Sequence, residues 1–416
     1  MNGRPSSASA ARFVAATIFI DAIGFGIIMP VLPTLIMKLD HGTLSEATRI
    51  GGWLWQTYAV VQFVCGPLIG GLGDRFGRRK VLLGSLGGMA LDYLVLGFSP
   101  SIGWLFLGRF LAGIFGASYA PAMAALADIS SAEDRARAFG QISAAFGIGF
   151  VVGPALGGLL GGIGPRWPFY AAAALAALNF VYGLTVFPET LPPERRRTLE
   201  LKRLNPLGAL KAIGHAPAVL PLVAAYFFWQ LAVMVYPVTW AYYAIASFGW
   251  SSGVIGLSLA VSGLGMAAVQ MLLVGRIVKR FGERRAVMIG LTAACIAFAG
   301  YALTRSTAIV FCLLAVSAFQ SLVQPSLMAM MSKRVAADQQ GELQGLNASV
   351  GALGAILAPF MLAQPLAWFT GPHAPFYFPG AAFVVSVVTG LTAMAIIAAT
   401  PRAEPRTAPE PAPESA

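Results

Sequence analysis

The stretch GPLIGGLGDRFGRRKVLLG, from Gly66 to Gly84, places a short charged segment between two long apolar runs. The charged residues in its middle are Asp74, Arg75, Arg78, Arg79 and Lys80. An apolar run of about 20 residues is long enough to cross a bilayer as a helix. The stretch therefore predicts two membrane helices joined by a tight basic loop.

The composition extends this prediction to the whole chain. Of the 416 residues, 57% are hydrophobic and only 11% are charged, and the mean hydropathy is +0.73. Soluble proteins carry about 25% charged residues, so we expect an all-α integral membrane protein. Twelve transmembrane spans are predicted, with approximate limits 12–38, 52–73, 80–98, 103–127, 139–160, 167–187, 218–246, 252–275, 286–303, 307–331, 345–365 and 375–399.

The net charge of +11 does not indicate a nucleic-acid partner, because the basic residues sit in short loops and form no continuous stripe. The three Cys residues are isolated within apolar runs and the three His residues lie in loops, so neither type suggests a metal site. No phosphate-binding, zinc-protease or serine-nucleophile motif occurs, which argues against an enzyme and against a transport ATPase. We therefore expect no metal and no cofactor.

The basic residues also predict an orientation, since cytoplasmic loops are enriched in Lys and Arg. With the N-terminus in the cytoplasm, Arg109 falls inside a span and the outer loops hold only Lys38, Arg49, Arg166 and Arg305. All other Lys and Arg residues fall on the inner side, so both termini are predicted to be cytoplasmic. We call the two ends of the molecule the inner and the outer end on this basis.

The chain repeats itself with a spacing of 205 residues. The segment DRFGRRK at 74–80 matches KRFGERR at 279–285, and GFVVGP at 149–154 matches GAILAP at 354–359. Two unrelated matches at one spacing indicate a duplicated six-helix unit. Duplicated halves around a central binding site are typical of secondary transporters.

This duplication predicts the domain organisation. An N-terminal six-helix bundle spans 1–187, and a C-terminal six-helix bundle spans 218–400. Residues 188–217, which are polar and rich in Pro and Arg, form a cytoplasmic linker between them. The Pro-, Ala- and Glu-rich tail, 401–416, is expected to be disordered.

The motifs resemble those of the major facilitator superfamily over nearly the whole chain. Residues 70–80 resemble its G-x-x-x-D-R-x-G-R-R/K signature, GRFLAGIFG (108–116) resembles its fourth-helix element, and GFVVGPALGG (149–158) resembles the fifth-helix motif of its drug/proton antiporters. IDAIGFGIIMPVLP (20–33), ALDYLVLGFSP (90–100) and FGWSSGVIGLSLAVSGLG (248–265) are similar to the tetracycline-resistance branch.

The resemblance implies a proton-coupled transporter that exports a small amphipathic, drug-like compound by alternating access, with a tetracycline-like compound as one candidate. Its energy source would be the proton-motive force. It would act as a monomer in the inner membrane of a bacterium, with protons, substrate and the lipid bilayer as its partners. A proton-coupled uptake symporter and a lipid or lysolipid flippase of the same fold are alternatives. A receptor that has lost transport is a third.

Three charged residues fall within the predicted spans: Asp21, Asp92 and Arg109. Each costs about 2.5–3.5 kcal/mol to insert, so such residues usually face a cavity or a partner. At about 1.5 Å per residue, Asp92 and Arg109 reach similar depths in the outer half, while Asp21 lies near the midplane. One interpretation is that Asp92 and Arg109 are a permanent pair that pins two helices. The functional one is proton coupling, with Asp21 preferred as the proton carrier, as the resemblance implies for an acid in the first span.

The loop has two interpretations as well. Its basic residues hold it at the inner end. The resemblance adds a gating role for Gly70, Asp74, Arg75, Gly77, Arg78 and Arg79. It implies that Asp74 contacts the start of the eleventh span, near Gly345, and that the basic residues pair with Asp128 or Asp134. The second copy of the loop has Lys279 where the first has Asp74, so the two copies are not equivalent.

The fifth span carries the small, kinked face expected of an antiporter: Gly149, Gly153, Pro154, Gly157 and Gly158. Small residues allow close helix packing. The resemblance implies a seam against the eighth span that prevents proton leakage, and it favours export over uptake.

The substrate cavity is predicted between the halves, mostly apolar with a few polar groups. The candidate residues that combine these properties are Gln62, Tyr226, Gln230, Tyr236, Trp240, Gln320 and Gln324. Simple packing is the more common role for any one of these aromatic residues. One departure from the tetracycline exporters is the ninth span, which has no acid and holds Ala293 and Ala294 instead. Either coupling relies on the N-terminal half, or the cargo is not a metal–tetracycline complex.

Overall fold

The computed structural model describes residues 7–116, 119–129, 135–198, 219–336 and 339–401, and within these ranges all regular structure is helical. The helices of the first half are α1 (Ser7–Ile28), α2 (Leu32–Asp40), α3 (Leu44–Phe76), α4 (Arg78–Gly97), α5 (Ile102–Phe115), α6 (Tyr119–Ile129), α7 (Arg135–Ile163) and α8 (Trp167–Val186). Those of the second half are α9 (Leu220–Val233), α10 (Val235–Phe248), α11 (Ser252–Leu272), α12 (Val274–Leu303), α13 (Thr307–Ser317), α14 (Val323–Ser332), α15 (Gln340–Ala358), α16 (Gln364–Thr370) and α17 (Ala381–Ala399).

These helices account for the predicted spans. Ten helical segments of the described chain are long and apolar enough to cross a membrane. The other two spans are α3, which has 33 residues, and α5 with its continuation α6. The all-helical membrane fold is therefore confirmed. Most of the linker and all of the tail beyond Pro401 lie outside the described residues.

Helix breaks recur at equivalent places in the two halves. The predicted span 12–38 is broken between α1 and α2, and the predicted span 218–246 is broken at Met234, 205 residues after Met29. Discontinuous helices are typical of the helices that line transporter sites. The breaks therefore fall in two spans that are expected to line the substrate site.

The predicted start of the second span is wrong because a helix cap extends the helix beyond its apolar residues. Helix α3 begins at Leu44 rather than at residue 52. The Thr43 hydroxyl accepts a hydrogen bond from the Glu46 backbone N–H at 3.3 Å, and the Glu46 carboxylate accepts one from the Thr43 backbone N–H at 2.7 Å. This reciprocal capping box satisfies two backbone donors, so the helix extends beyond its apolar stretch.

The same loop geometry is found in both halves. Gly77 between α3 and α4 has φ 101°, and Gly282 has φ 79° where α12 bends. Positive φ at these values is readily available only to glycine. The predicted loop at 276–285 is therefore a sharply kinked turn within α12.

Packing within each half is supplemented by two seams between the halves. Helix α1 packs on α7 and α8 in the first half, and α17 packs on α9 and α12 in the second. Across the halves, α7 packs on α11, and α3 packs on α15, α16 and the π-helical turn Pro359–Ala363 that joins them. A substrate site between the halves must lie between these two seams.

Candidate functional site

A cavity lies between the halves. Helices α1, α3, α4 and α5 line it from one side, and α10 and α11 line it from the other. Its aromatic residues are Phe25, Trp55, Tyr58, Tyr93, Tyr236, Trp240 and Tyr242, and its charged residues are Asp21 and Arg109. A largely apolar wall with a few convergent polar groups is the usual form of a small-molecule site.

The outer end of this cavity is closed. Gly51 of α3 lies directly against the Tyr242 hydroxyl, and Gly52 lies against Ala363. About two turns further out along α3, the Ser45 hydroxyl donates a 2.6 Å hydrogen bond to the Ala367 carbonyl. These contacts join the first half to the second, so they seal the cavity from the outer side.

The inner end is open. A second cavity adjoins the first, and the two share Phe25, Trp55 and Tyr58 in their walls. Further in, a side chain added at Gly66 or Gly70 of α3 would meet no other described atom within 4 Å. The structure is thus closed at the outer end and open at the inner end.

Two of the three charged residues within the spans contact each other, as their similar estimated depths predict. Asp92 is fully buried on α4, and its Oδ2 lies 3.3 Å from the Arg109 Nη2 on α5. Arg109 also lines the cavity, whereas Asp92 lies behind it. Asp21 lines the cavity from α1, and Tyr58 and Tyr93 lie within reach of all three charges. The cavity is therefore lined by one acid, Asp21, and by Arg109, which also pairs with the buried Asp92.

Only some of the predicted substrate residues line the two cavities. Tyr236 and Trp240 line the main cavity, and Gln62 lines the inner one. Gln320 is buried behind the wall, with its amide nitrogen 3.4 Å from the Tyr236 hydroxyl. Gln324 is exposed on α14 and lies outside both linings. Neither glutamine lies in the two linings, and the 3₁₀ turn Ala318–Leu322, which holds Gln320, interrupts the helix between α13 and α14.

Tyr226 and Gln230 also lie apart from the two cavity linings. Both are on α9 and face α15, where the Gln230 amide and the Tyr226 hydroxyl approach Gly351. They contribute to helix packing within the second half.

The sequence prediction missed several lining residues: Trp55, Tyr58, Tyr93 and Tyr242. Spacing could have identified two of them. Trp55, Tyr58 and Gln62 follow at intervals of three and four along α3, which places them on one helix face. The Trp55 ring also packs at 6.0 Å from the Tyr58 ring and at 5.7 Å from the Phe25 ring.

The loop between α3 and α4 is held by polar contacts within the first half. The Arg78 side chain lies 2.6 Å from Asp74 and 3.5 Å from Asp128, one of its two predicted partners. The Arg78 backbone N–H donates to the Glu189 carboxylate at 2.8 Å. Glu189, at the end of the first bundle, therefore caps α4 and lies against Gly77.

The predicted contact of Asp74 with α15 is not formed. The Asp74 carboxylate is 43% exposed and pairs with Arg78 instead. The alternative partner Asp134 lies outside the described residues.

The small-residue motif on α7 forms two seams rather than one. Gly149, Gly153 and Gly157 lie against the backbone of α1 at Phe19, Ile23 and Ile27. Gly158 and Pro154 lie against α11 at Gly253 and Gly256, as the resemblance implies for the eighth span. The α1 seam was not predicted, because sequence alone does not identify which helices are neighbours.

These features define a class: a membrane transporter made of two helical halves, with a site between them that opens at one end. The family model of the Major Facilitator Superfamily matches residues 14–359 and 222–416. The chain belongs to the Major Facilitator Superfamily, and it is a transporter and not an enzyme.

Individual proteins agree with this assignment. Tetracycline resistance protein, class C, of Escherichia coli is 39% identical over 368 residues, which are 86% of this chain and 92% of that protein. Multidrug resistance protein 2 of Bacillus subtilis (strain 168) is 31% identical over 381 residues, which are 91% of this chain and 92% of that protein. A bacterial homologue of the human lysosomal transporter Spinster shares the fold, with a TM-score of 0.75, 17% identity and coverage of 95% of this chain and 97% of that one.

Proposed function

We propose that this chain exports amphipathic, aromatic, drug-like compounds in exchange for protons. The observation that carries the proposal is the main cavity, which combines an aromatic wall with one lining acid, Asp21, and one lining base, Arg109. Such a wall suits a flat apolar molecule that has polar groups at one edge. The resistance proteins similar to this chain support export rather than uptake or lipid flipping.

Alternating access supplies the mechanism. The structure represents the state in which substrate enters from the inner side. Export requires the contacts of Gly51 with Tyr242 and of Ser45 with Ala367 to open while the inner end closes. Closure brings the start of α15 toward Asp74, where a carboxylate is favoured by the partial positive charge of a helix N-terminus.

Asp21 is the residue that we assign to proton transfer. It lines the cavity, so its surroundings change when the cavity changes sides. Burial favours the protonated form of an acid and exposure to water favours the ionised form, so a change of surroundings can load or unload a proton. Asp92, buried behind Arg109, holds that arginine in place.

The substrate does not depend on an acid in the second half. The ninth span, in α12, has the buried residues Ala293 and Ala294 where an acid would be needed. Within the lining of the main cavity, the second half contributes Tyr236, Trp240 and Tyr242 but no charge. We therefore propose a substrate whose polar groups face the first half. Tetracycline is one candidate, and its recognition would use no metal ligand from α12.

The proposal includes the setting in which the chain acts. We propose that the chain acts as a monomer, because both halves that enclose the cavity belong to one polypeptide. The basic bias of the loops supports an inner-membrane location with both termini cytoplasmic. The proton-motive force is the proposed energy source, without a bound cofactor.

Inverted membrane vesicles that contain the chain provide the test. With an acid interior, they should accumulate tetracycline or ethidium, and an ionophore that dissipates the pH gradient should release the drug. A pump-deficient bacterium that expresses the chain should show reduced susceptibility to the same compound. Vesicles that accumulate no compound from a drug panel under an imposed pH gradient would overturn the proposed function.

A further inference from the structure

Each copy of the repeated loop presents a basic–aromatic triad to the surroundings. The two triads are Arg75, Phe76 and Lys80 in the first half and Arg280, Phe281 and Arg285 in the second. All six side chains are exposed. Corresponding members are 205 residues apart, so the arrangement is repeated by the duplication.

The two triads have the same internal geometry. The Arg75 guanidinium lies 5.1 Å from the centre of the Phe76 ring, and the Arg280 guanidinium lies 5.4 Å from that of Phe281. Cation–π contacts of this length hold an arginine over a ring. The rings themselves remain 45% and 41% exposed, so each triad offers an apolar surface beside fixed positive charge.

The triad cations differ from the other charged residues of the same loops. Arg78 is paired with Asp74, and the Arg284 guanidinium donates to the Ala398 carbonyl at 2.7 Å. The four triad cations make no ion pair with any described residue. Each loop is therefore divided into residues that hold its shape and residues whose charge is available to a partner.

We propose that each triad binds the headgroup of an anionic phospholipid. The charge complements a phosphate, since two cations in each triad are close in sequence and unpaired. The exposed ring favours a lipid over free phosphate, because an aromatic residue beside a headgroup can also contact the start of an acyl chain. Both triads lie at the inner end, where anionic lipids attract basic residues next to membrane helices.

This site is independent of the drug cavity. It would be occupied whether or not substrate is present, and it does not depend on the proposed export activity. Lipid at Arg75 would lie one residue from Asp74, so occupation of the first triad would stabilise the loop beside that acid. The second triad has Lys279 at the corresponding position.

Native mass spectrometry of the full chain in micelles, titrated with phosphatidylglycerol, tests the proposal. We expect two lipids to bind more tightly than further ones. The double variant Arg75→Gln, Arg280→Gln removes one cation from each triad, and the affinity for these two lipids should fall about fivefold per site. A matched control, Arg49→Gln, Arg305→Gln, removes two exposed cations from the outer end and should leave the affinity unchanged.

The rings and the headgroup have their own controls. The variant Phe76→Leu, Phe281→Leu keeps the apolar character but removes the cation–π contact, so it should weaken phosphatidylglycerol binding by a smaller factor. Phosphatidylcholine should show no pair of tight sites. Thermal unfolding of each variant establishes that the fold is retained.

Three results would overturn the proposal. An equal loss in the outer-end control would show that net charge alone governs binding. Equal binding of phosphatidylcholine would show that the sites do not recognise an anionic headgroup. Displacement of the lipid by inorganic phosphate at matched ionic strength would assign the sites to free phosphate.

Discussion

The charged residues at the main cavity belong to the first half of the molecule: Asp21 and Arg109 line it, and the buried Asp92 pairs with Arg109. The positions 205 residues further along hold Tyr226, Ala297 and Leu314. All three of these are buried. The duplicated halves thus keep one fold but differ in charge at the cavity, whereas both contribute aromatic residues to its wall.

The inner loops show a second kind of difference, an inversion of charge. Arg78 pairs with Asp128 in the first half, and Glu283 pairs with Lys333 in the second. Each partner lies 205 residues from its counterpart, and each has the opposite sign. In each half, an ion pair therefore joins the loop to the end of the fourth helix. The two halves differ in which partner carries the positive charge.

The acid that precedes these pairs distinguishes the two loops. Asp74 of the first loop corresponds to Lys279 of the second, which is exposed and makes no ion pair with the described residues. Glu189 caps the helix that follows the first loop. We infer that both loops position helices and that the first alone is equipped to gate.

The largest expected effect separates Asp21 from its counterpart Tyr226. Asp21→Asn should abolish drug accumulation in vesicles under a pH gradient, because an amide cannot carry the proton. Tyr226→Phe should retain accumulation, since it removes a hydroxyl from a residue outside the cavity linings. The measurement is uptake alongside equilibrium drug binding, which should persist in both variants. Active accumulation by the Asp21→Asn variant would remove Asp21 from the proton pathway and direct the same assay to Asp92→Asn.

The next effect concerns the buried pair of Asp92 and Arg109. Asp92→Asn leaves Arg109 without its counter-ion and should lower the free energy of unfolding by about 3 kcal/mol. The double variant Asp92→Leu, Arg109→Met removes both charges and should recover most of that loss. Unfolding in micelles measures both. An unchanged unfolding free energy in the single variant would mean that water or another group already compensates the charges.

A smaller effect compares the two loops. Asp74→Asn should slow drug export about fivefold, which corresponds to about 1 kcal/mol from the contact of a carboxylate with a helix N-terminus. Lys279→Gln should export at nearly the rate of the unmodified protein. Initial export rates at equal protein abundance provide the measurement. Equal rates for all three proteins would reduce the first loop to a structural role like that of the second.

The smallest effect distinguishes the two inverted pairs. The Arg78 and Asp128 side chains are 12% and 26% exposed, whereas Lys333 is 62% exposed. A double-mutant cycle for unfolding should therefore give a coupling energy of about 1 kcal/mol for Arg78–Asp128 and about 0.3 kcal/mol for Glu283–Lys333. Added salt should reduce the second coupling more strongly. A larger coupling for Glu283–Lys333 would contradict the link between burial and strength at these loops.

Local chemistry predicted much of this arrangement. The apolar runs predicted the helices, and the charge cost of Asp92 and Arg109 at similar depths predicted their contact. The repeat predicted equivalent loops, which Gly77 and Gly282 confirm through their positive φ angles. These features depend on residues that are close in sequence, or on a buried charge that needs an opposite charge beside it.

The remaining features depend on geometry between distant segments. Gln320 and Gln324 would share the face of a continuous α-helix, but the 3₁₀ turn Ala318–Leu322 interrupts that helix. The contact of Asp74 with α15 depends on which end of the molecule is open. Tyr242 joins the cavity only because Gly51, far away in the chain, leaves room for its hydroxyl.

The π-helical turn Pro359–Ala363 has a consequence for insertions and deletions. A π turn holds about one residue more than an α turn. Deleting one residue there would let the turn become α-helical, and α16 would keep its orientation relative to α15 because the wide turn already absorbs the extra residue. A deletion in the α-helical part of the same helix would instead rotate the residues that follow by about 100°. Ala367 would then move away from the Ser45 hydroxyl, whose hydrogen bond its carbonyl now accepts. The seal at the outer end therefore tolerates a change of length at the π turn but not elsewhere in this helix.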